Sequence, residues 1–470
     1  MFDSDVYRER RARLADSLGS GLVLLPGNRL TPMNYPDNPY GFRQDGSFRY
    51  YFGLDLPGLV GTIDLDTAEA TLFGTEPTLD DVVWMGPQPS LVDLGASAGV
   101  HSTLPLVDLP AELDRARNAG RPVHFLPQYR SDALLALQEL LGLAAEVIDD
   151  HASRALMEAV VEQRMEKSDE EVAEIERAVA IARNMHEYAM RLVRPGLMER
   201  EVAGLVRGIA LAAGGDVSFP IIFTVHGEIL HDHSWSGTME EGRLLVHDSG
   251  AQAPSGYCSD ITRTLPVSGR FTARQRDVYE AVLAAQEAAL AAIEPGVAFR
   301  DVHLLAAREL SSAFVDLGLL RGDPDEIVAA GAHALFFPHG LGHMIGLDVH
   351  DGEAIGEDIV GYGDGYERSE QFGLSALRLA KELRAGRVVT VEPGAYFIPP
   401  LIRQWRSEGR HDAFIDYGAL EDWLDFGGVR IEDDVLVTDG GHRVLGPPIA
   451  KRPDDVEAVM GEAAGAAPPV

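Results

Sequence analysis

Cysteine is nearly absent from this sequence. Cys258 stands alone among 470 residues, so no intrachain disulfide can form and a reducing compartment is favoured. Lysine is almost as scarce, confined to Lys167, Lys381 and Lys451, and arginine supplies nearly all the positive charge. Acidic residues outweigh both, leaving a net charge of -34. A chain so acidic offers no basic face to neutralise phosphates, which argues against nucleic acid as a partner and equally against an anionic membrane surface. No apolar run reaches the roughly 18 residues that a spanning helix requires. The opening Met1-Phe2-Asp3-Ser4-Asp5 also lacks the basic and apolar regions of a signal peptide. The expectation is therefore a soluble cytoplasmic protein, with apolar content of 46% and length enough for two or three domains around a large core.

The first third alternates helical and extended patterns. Residues 7–18 read as a basic amphipathic helix, 21–26 as a buried strand, and 58–65 with 70–73 as a hairpin turning at Asp66-Thr67. Further on, 122–126 reads as a strand and 132–143 as a helix, so a small α/β domain over 1–155 is expected. Residues 149–168 turn polar, as an interdomain connection does. Ser168-Asp169-Glu170-Glu171 then has the form of a capping box opening a helix to Leu192. Helices are expected over 199–213, 272–293 and 302–317, and strands over 217–225, 243–248, 387–394 and 427–434. The second domain spans 160–460 and the remainder, 461–470, reads as a flexible tail. The fold class is α/β in the broad sense, helices and strands mixed in both domains.

Chemistry concentrates in a few places. His339-Gly340-Leu341-Gly342-His343 runs on to His350-Asp351, placing three histidines and two aspartates within thirteen residues beside apolar Ile345 and Leu347. Imidazoles carried into such a setting need partners, a metal or a carboxylate among them. Asp248 ends an apolar strand, and Asp260 lies on the next strand beyond a turn through Ala253-Pro254-Ser255-Gly256, so a hairpin can bring both carboxylates to one face. Glu392 and Glu432 each follow a buried-looking β-branched run. A carboxylate there must be protonated, matched by a cation, or bound to metal. Four acids and an imidazole without thiolate suit divalent manganese, cobalt or zinc, and the excess of oxygen favours manganese. Four acids can also bridge, so two ions are more natural than one. Arg430, two residues before Glu432, shares its strand face and can orient a ligating acid.

These motifs resemble the proline-specific metallopeptidases, aminopeptidase P and prolidase, whose catalytic domain has the pita-bread fold. The likeness covers nearly the whole chain, since Phe42-Arg43-Gln44-Asp45, residues 48–53 and Trp84-Met85-Gly86 are similar to that family's amino-terminal domain. The resemblance implies that Asp248 holds one metal, His343 and Glu392 the other, and that Asp260 and Glu432 bridge them. It implies that His231, His339 and His350 contact substrate and the tetrahedral intermediate, that Glu392 carries a proton to the proline nitrogen, and that Arg378 lies near the substrate's carboxyl side. Trp84 matches a tryptophan that can reach a neighbouring subunit's active site, and the family implies dimers or tetramers. Two departures stand out: the Asp248 to Asp260 interval is one residue longer than is usual there, and insertions occupy 352–370 and 399–423.

The expected activity is release of the first residue from peptides with proline second. The bond before proline is a tertiary amide, without the N–H that other peptidases grip. Prolidase, which cuts dipeptides alone, is the alternative, and a non-catalytic binding protein on the same fold a remoter one. An amidinohydrolase on this fold is disfavoured because those enzymes lack the full ligand set.

Overall fold

The computed structural model describes residues 2–363 and 365–462. Most of the expected tail, 463–470, and residue 364 of the first insertion lie outside that description. Glu462 is within it, and accepts a hydrogen bond from Arg191 Nε at 2.9 Å. The chain divides into two compact units, Met1–Arg164 with Gly352–Ile359, and Met165–Asp351 with Val360–Val470. The polar stretch expected to connect domains is largely a helix, Arg154–Met165, because Leu156, Val160, Val161 and Met165 recur at helical spacing and are buried.

The amino-terminal unit is built on a five-stranded sheet in the spatial order Ser102–Pro105, Ala70–Gly74, Val60–Asp64, Leu22–Pro26, Val123–Phe125. The expected hairpin is present, with Val60 opposite Phe73 and Ile63 opposite Ala70. Leu22, Leu24, Phe73, Leu113 and Leu137 close a core between the sheet and helices Leu109–Asn118 and Ser131–Leu141. The first helix, Ser4–Ser17, departs from the expected basic amphipath, since Arg10 and Arg11 point inward. They donate to the carbonyls of Tyr50 at 3.0 Å and Tyr51 at 2.6 Å, satisfying acceptors at the end of helix Gly46–Phe52 that have no intrahelical donor.

The second unit carries the site. Strands Thr262–Pro266, Leu244–Asp248 and Ile222–Thr224 form one antiparallel sheet, and Val388–Val391, Asp433–Thr438 and Gly441–Val444 another. Gly394–Tyr396 pairs with Gly428–Arg430. The strand expected over 427–434 is broken at Ile431-Glu432, because its two halves pair with different strands. Single bridges, Thr262 to Glu432 and Met344 to Val389, tie these sheets and the histidine loop together. Long helices Asp169–Leu192, Glu199–Ala212, Ala273–Ala291 and Phe299–Asp316 pack pairwise in sequence order. Ser168 caps the first of them as expected, its hydroxyl accepting from the Glu171 N–H while Glu171 accepts from the Ser168 N–H. The strand expected over 217–225 shrinks to Asp216–Val217 and Ile222–Thr224. Among the described residues no helix is long and apolar enough to cross a membrane.

Candidate active site

Asp248 and Asp260 reach one face through the hairpin's register. Thr262 lies opposite Asp248, the Ser249 N–H donates to the Ile261 carbonyl at 3.0 Å, and the same register recurs at the Gln252–Cys258 bridge and where the Ala253 N–H donates to the Tyr257 carbonyl at 2.9 Å. Asp260 therefore stands opposite Gly250, two residues along from the Asp248 pair, and side chains two apart share a face. The long interval leaves this register intact. Gly250 is required by close approach: a Cβ there would fall inside the Ser259 carbonyl oxygen. Gly250→Ala is accordingly expected to cost about 2–3 kcal/mol by spreading the hairpin, measurable by urea denaturation of the purified chain.

The other acids arrive from elsewhere. Glu392 follows strand Val388–Val391, and Glu432 sits in the break between two strands, held by the Thr262 hydroxyl at 2.6 Å. Alternation along 432–434 sends Glu432 and Asp434 toward the site, where Asp434 Oδ2 accepts from the Asp260 N–H at 3.0 Å. Asp433 faces the other way and pairs with Arg263 and Lys451, at 2.7 and 2.6 Å. His343 points its Nε2 to within 3.5 Å of Asp260 and 3.7 Å of Glu392. Its Nδ1 meets its neighbour's carbonyl, Met344 O, at 3.0 Å, which fixes the tautomer and leaves Nε2 a lone pair facing the acids. Asp260, His343 and Glu432 offer ligand atoms all within 4.8 Å of one another.

The electrostatics of this cluster favour a cation or protonation. Burial first, then Asp248, Glu392 and Asp434, push the Asp260 carboxyl well above its ordinary range. Burial and Asp260 do the same to Glu432, and Glu392 is pushed up to about 7, chiefly by burial. One oxygen each of Asp248 and Asp260 is buried without a hydrogen-bond partner. Oxygens left in that state are costly unless an ion takes them up. The residues thus fit divalent metal, with carboxylate oxygens and one imidazole as the donor set.

Arg430 is the cation the chain itself supplies. Its side chain is 4% exposed, and the guanidinium donates to Asp248 Oδ2 at 2.7 Å, to the Tyr396 hydroxyl at 2.8 Å and to Thr262 Oγ1 at 3.3 Å. The Tyr396 hydroxyl in turn meets His339 Nε2 at 2.8 Å, and His339 Nδ1 meets the Gly340 carbonyl at 2.8 Å. Burial, then Arg430, hold His339 down to about 3, so it is neutral, accepting from Tyr396 and donating to Gly340. His350 stacks on His343 with centroids 3.8 Å apart. His231, His339, His350, Arg378, Arg430 and the acids Asp248, Asp260, Glu392 and Glu432 line one cleft of about 310 Å³, together with apolar Phe219, Ile222 and Leu230.

The structure therefore brings together every residue that the sequence placed in this chain's own cleft; Trp84, assigned to a neighbouring subunit's active site, stands 83% exposed on helix Leu79–Met85 of the amino-terminal unit. Tyr396, Thr262, Asp434 and Thr390, whose hydroxyl accepts from the His343 N–H at 3.1 Å, were not singled out by sequence. A signal for Asp434 existed in its two-residue offset from Glu432; Tyr396 had none beyond lying on the strand after Glu392. Part of the first insertion has a defined place: the Tyr362 hydroxyl and Arg368 Nη1 both donate to the Leu377 carbonyl, at 2.7 and 3.1 Å, behind the wall that bears Arg378.

Comparison with known proteins converges on the same chemistry. Residues 173–439 match metallopeptidase family M24, and residues 7–124 match the aminopeptidase P amino-terminal domain. The chain is 32% identical to the Xaa-Pro dipeptidase of Homo sapiens, covering 97% of this chain and 93% of that one. It is also 32% identical to a probable Xaa-Pro aminopeptidase of Colletotrichum graminicola, covering 96% of each. Among solved structures, Pseudomonas aeruginosa aminopeptidase PepP superposes with a TM-score of 0.81 at 28% identity, over 98% of this chain and 99% of that one. Zinc-substituted Escherichia coli aminopeptidase P in complex with product gives 0.79 at 29% identity, over 98% of each.

Proposed function

Since the chain belongs to metallopeptidase family M24, we propose that it is a metal-dependent Xaa-Pro aminopeptidase, releasing the first residue of peptides whose second is proline. The single observation that carries this reading is the cleft itself: four buried or half-buried carboxylates and a tautomer-fixed imidazole, with two carboxylate oxygens unpartnered. Asp248, Asp260, His343, Glu392 and Glu432 would hold two divalent ions, and the oxygen-rich set favours manganese over cobalt or zinc. Bound there, such ions supply a water of lowered pKa and polarise the scissile carbonyl.

The chain's own groups do the rest. His350, beside His343, stabilises the charge that develops on the carbonyl oxygen. Glu392, beside His343 and 19% exposed, carries the proton to the departing proline nitrogen. His339 has both ring nitrogens engaged, so it meets substrate through its ring, while His231 offers a second imidazole across the cleft. Arg378 faces the carboxyl side. Arg430 acts on the substrate only through Asp248 and Tyr396, which its donors already occupy.

Prolidase is the second reading, supported by the dipeptidase name of the human relative and by the way Tyr362 and Arg368 back the Arg378 wall. A homodimer or homotetramer belongs to the proposal too, as does a reducing, cytoplasmic location for a chain whose one cysteine is buried. Hydrolysis of Ala-Pro and of Arg-Pro-Pro-Gly-Phe by the manganese-loaded chain separates the readings. Cleavage of both, or of the pentapeptide preferentially, is expected. Cleavage of Ala-Pro alone would reassign the chain as a prolidase, and absence of metal-dependent cleavage of either would sink the peptidase reading.

A further inference from the structure

Under the loop that carries His350 lies an ion pair shut off from water. Lys167 Nζ is 2.9 Å from Asp351 Oδ2, with the two side chains 1% and 3% exposed. Burying such a pair costs desolvation that the attraction between its members barely offsets, so it is weak evidence for stability. What it does here is geometric. The other Asp351 oxygen accepts the Asp348 N–H at 3.3 Å, and the Asp351 N–H donates to the Met344 carbonyl at 3.0 Å. That same carbonyl receives His343 Nδ1. The loop from Met344 to Asp351 is thus closed on itself, and its closing residue is the immediate neighbour of His350.

Lys167 ties this loop to a second part of the site. Its N–H donates to the Gly386 carbonyl at 2.8 Å, just ahead of the strand that ends before Glu392. Gly346 makes room for the arrangement: a Cβ there would lie 2.5 Å from Asp351 Oδ2 and 3.1 Å from Lys167 Cε. The residue type is informative as well. In a chain with three lysines and 37 arginines, an ammonium stands where one compact charge must meet one carboxylate oxygen.

We propose that Lys167 is a positioning residue, which through Asp351 holds the His350 imidazole against His343 at the height where it meets the developing oxyanion. The inference rests on the peptidase reading above. Steady-state hydrolysis of Xaa-Pro substrate tests it, with bound metal counted in every protein. Lys167→Met is expected to lower kcat about tenfold to a hundredfold, with KM within about threefold and two metals retained. In a His350→Ala background the same substitution is expected to change kcat less than about twofold, because groups that act as a unit are lost together. Equal losses in both backgrounds, an unchanged kcat, or a loss that tracks missing metal would each overturn the proposal. If Lys167→Met does not fold, Gly346→Ala, which leaves both charges in place and crowds the pair, is read in the same two backgrounds against the same criteria. Failure of the wild-type chain to cleave any Xaa-Pro substrate refutes instead the reading on which this rests.

Discussion

Asp260→Asn is expected to abolish peptide hydrolysis, by more than about a thousandfold, and at the same time to raise the melting temperature of the metal-free chain. Both effects have one cause. Asp260 is 6% exposed, has one unpartnered oxygen, and faces Asp248, Glu392 and Asp434. With metal, its charge is what binds; without metal, the same charge is buried among like charges. An amide of equal size removes a ligand and donates to neighbouring carboxylates, which stabilises the metal-free fold by about 1–3 kcal/mol, the cost of one buried unsatisfied group. The pH dependence follows with a definite sign. The folded pKa values of Asp260 and Glu432 lie above their unfolded values, so the stability linked to them is fully present below the unfolded carboxylate range and is lost as pH rises through the folded values. Glu392, pushed up to about 7, adds a loss of its own that runs up to about that pH. Thermal melts in chelator from pH 4.5 to 8 should fall for the wild-type chain and fall less for Asp260→Asn, while added manganese restores only the wild type. A melting temperature independent of pH in chelator, or a variant that still hydrolyses Ala-Pro, would contradict this account.

Arg430→Met should do the opposite to stability while also destroying activity. The guanidinium is the cation that faces Asp248, and three of its N–H groups are spent on Asp248, Tyr396 and Thr262. Removing one partner of a buried pair strands the other, a loss of about 3–5 kcal/mol. Hydrolysis falls because Asp248 and, through Tyr396, His339 lose the contacts that aim them. Arg430→Lys is expected to recover only part of the loss, since one point charge cannot serve three acceptors in a plane. The deficit should narrow toward acid pH as Asp260 and Glu432 take up protons and the site needs less positive charge. Urea denaturation of metal-free wild type and variant at pH 5 and pH 8 measures this. Equal stability of the two proteins at pH 8 would show that the acids are balanced by some other group.

These two substitutions differ in what sequence could say about them. Asp260 was legible because it lies twelve positions on from Asp248, beyond a turn through Pro254-Ser255-Gly256, and a hairpin of that size can bring both carboxylates to one face. Arg430 was legible as a neighbour of Glu432, but the hydroxyl of Tyr396, which its Nη1 reaches, lies 34 positions earlier on the paired strand. The basic amphipathic pattern over 7–18 says nothing of Arg10 and Arg11 turning inward, because that pattern is local, whereas the carbonyls that draw them in belong to another helix. Trp84 gave no local sign that it would stand exposed.

The sequence by itself determined the donor set, the placing of each acid at or beside a strand end, the capped helix at Ser168 and the mixed α/β class, because alternation, capping and turn chemistry act over a few residues. The tertiary structure decided which acids face the cleft and which do not. Glu432 turns inward on the Thr262 hydroxyl 170 positions away, while adjacent Asp433 turns outward to Arg263 and Lys451. Lys167 meets Asp351 across 184 positions. A buried charge takes its partner from whatever the fold brings within about 3 Å, and distance along the chain carries no information about that.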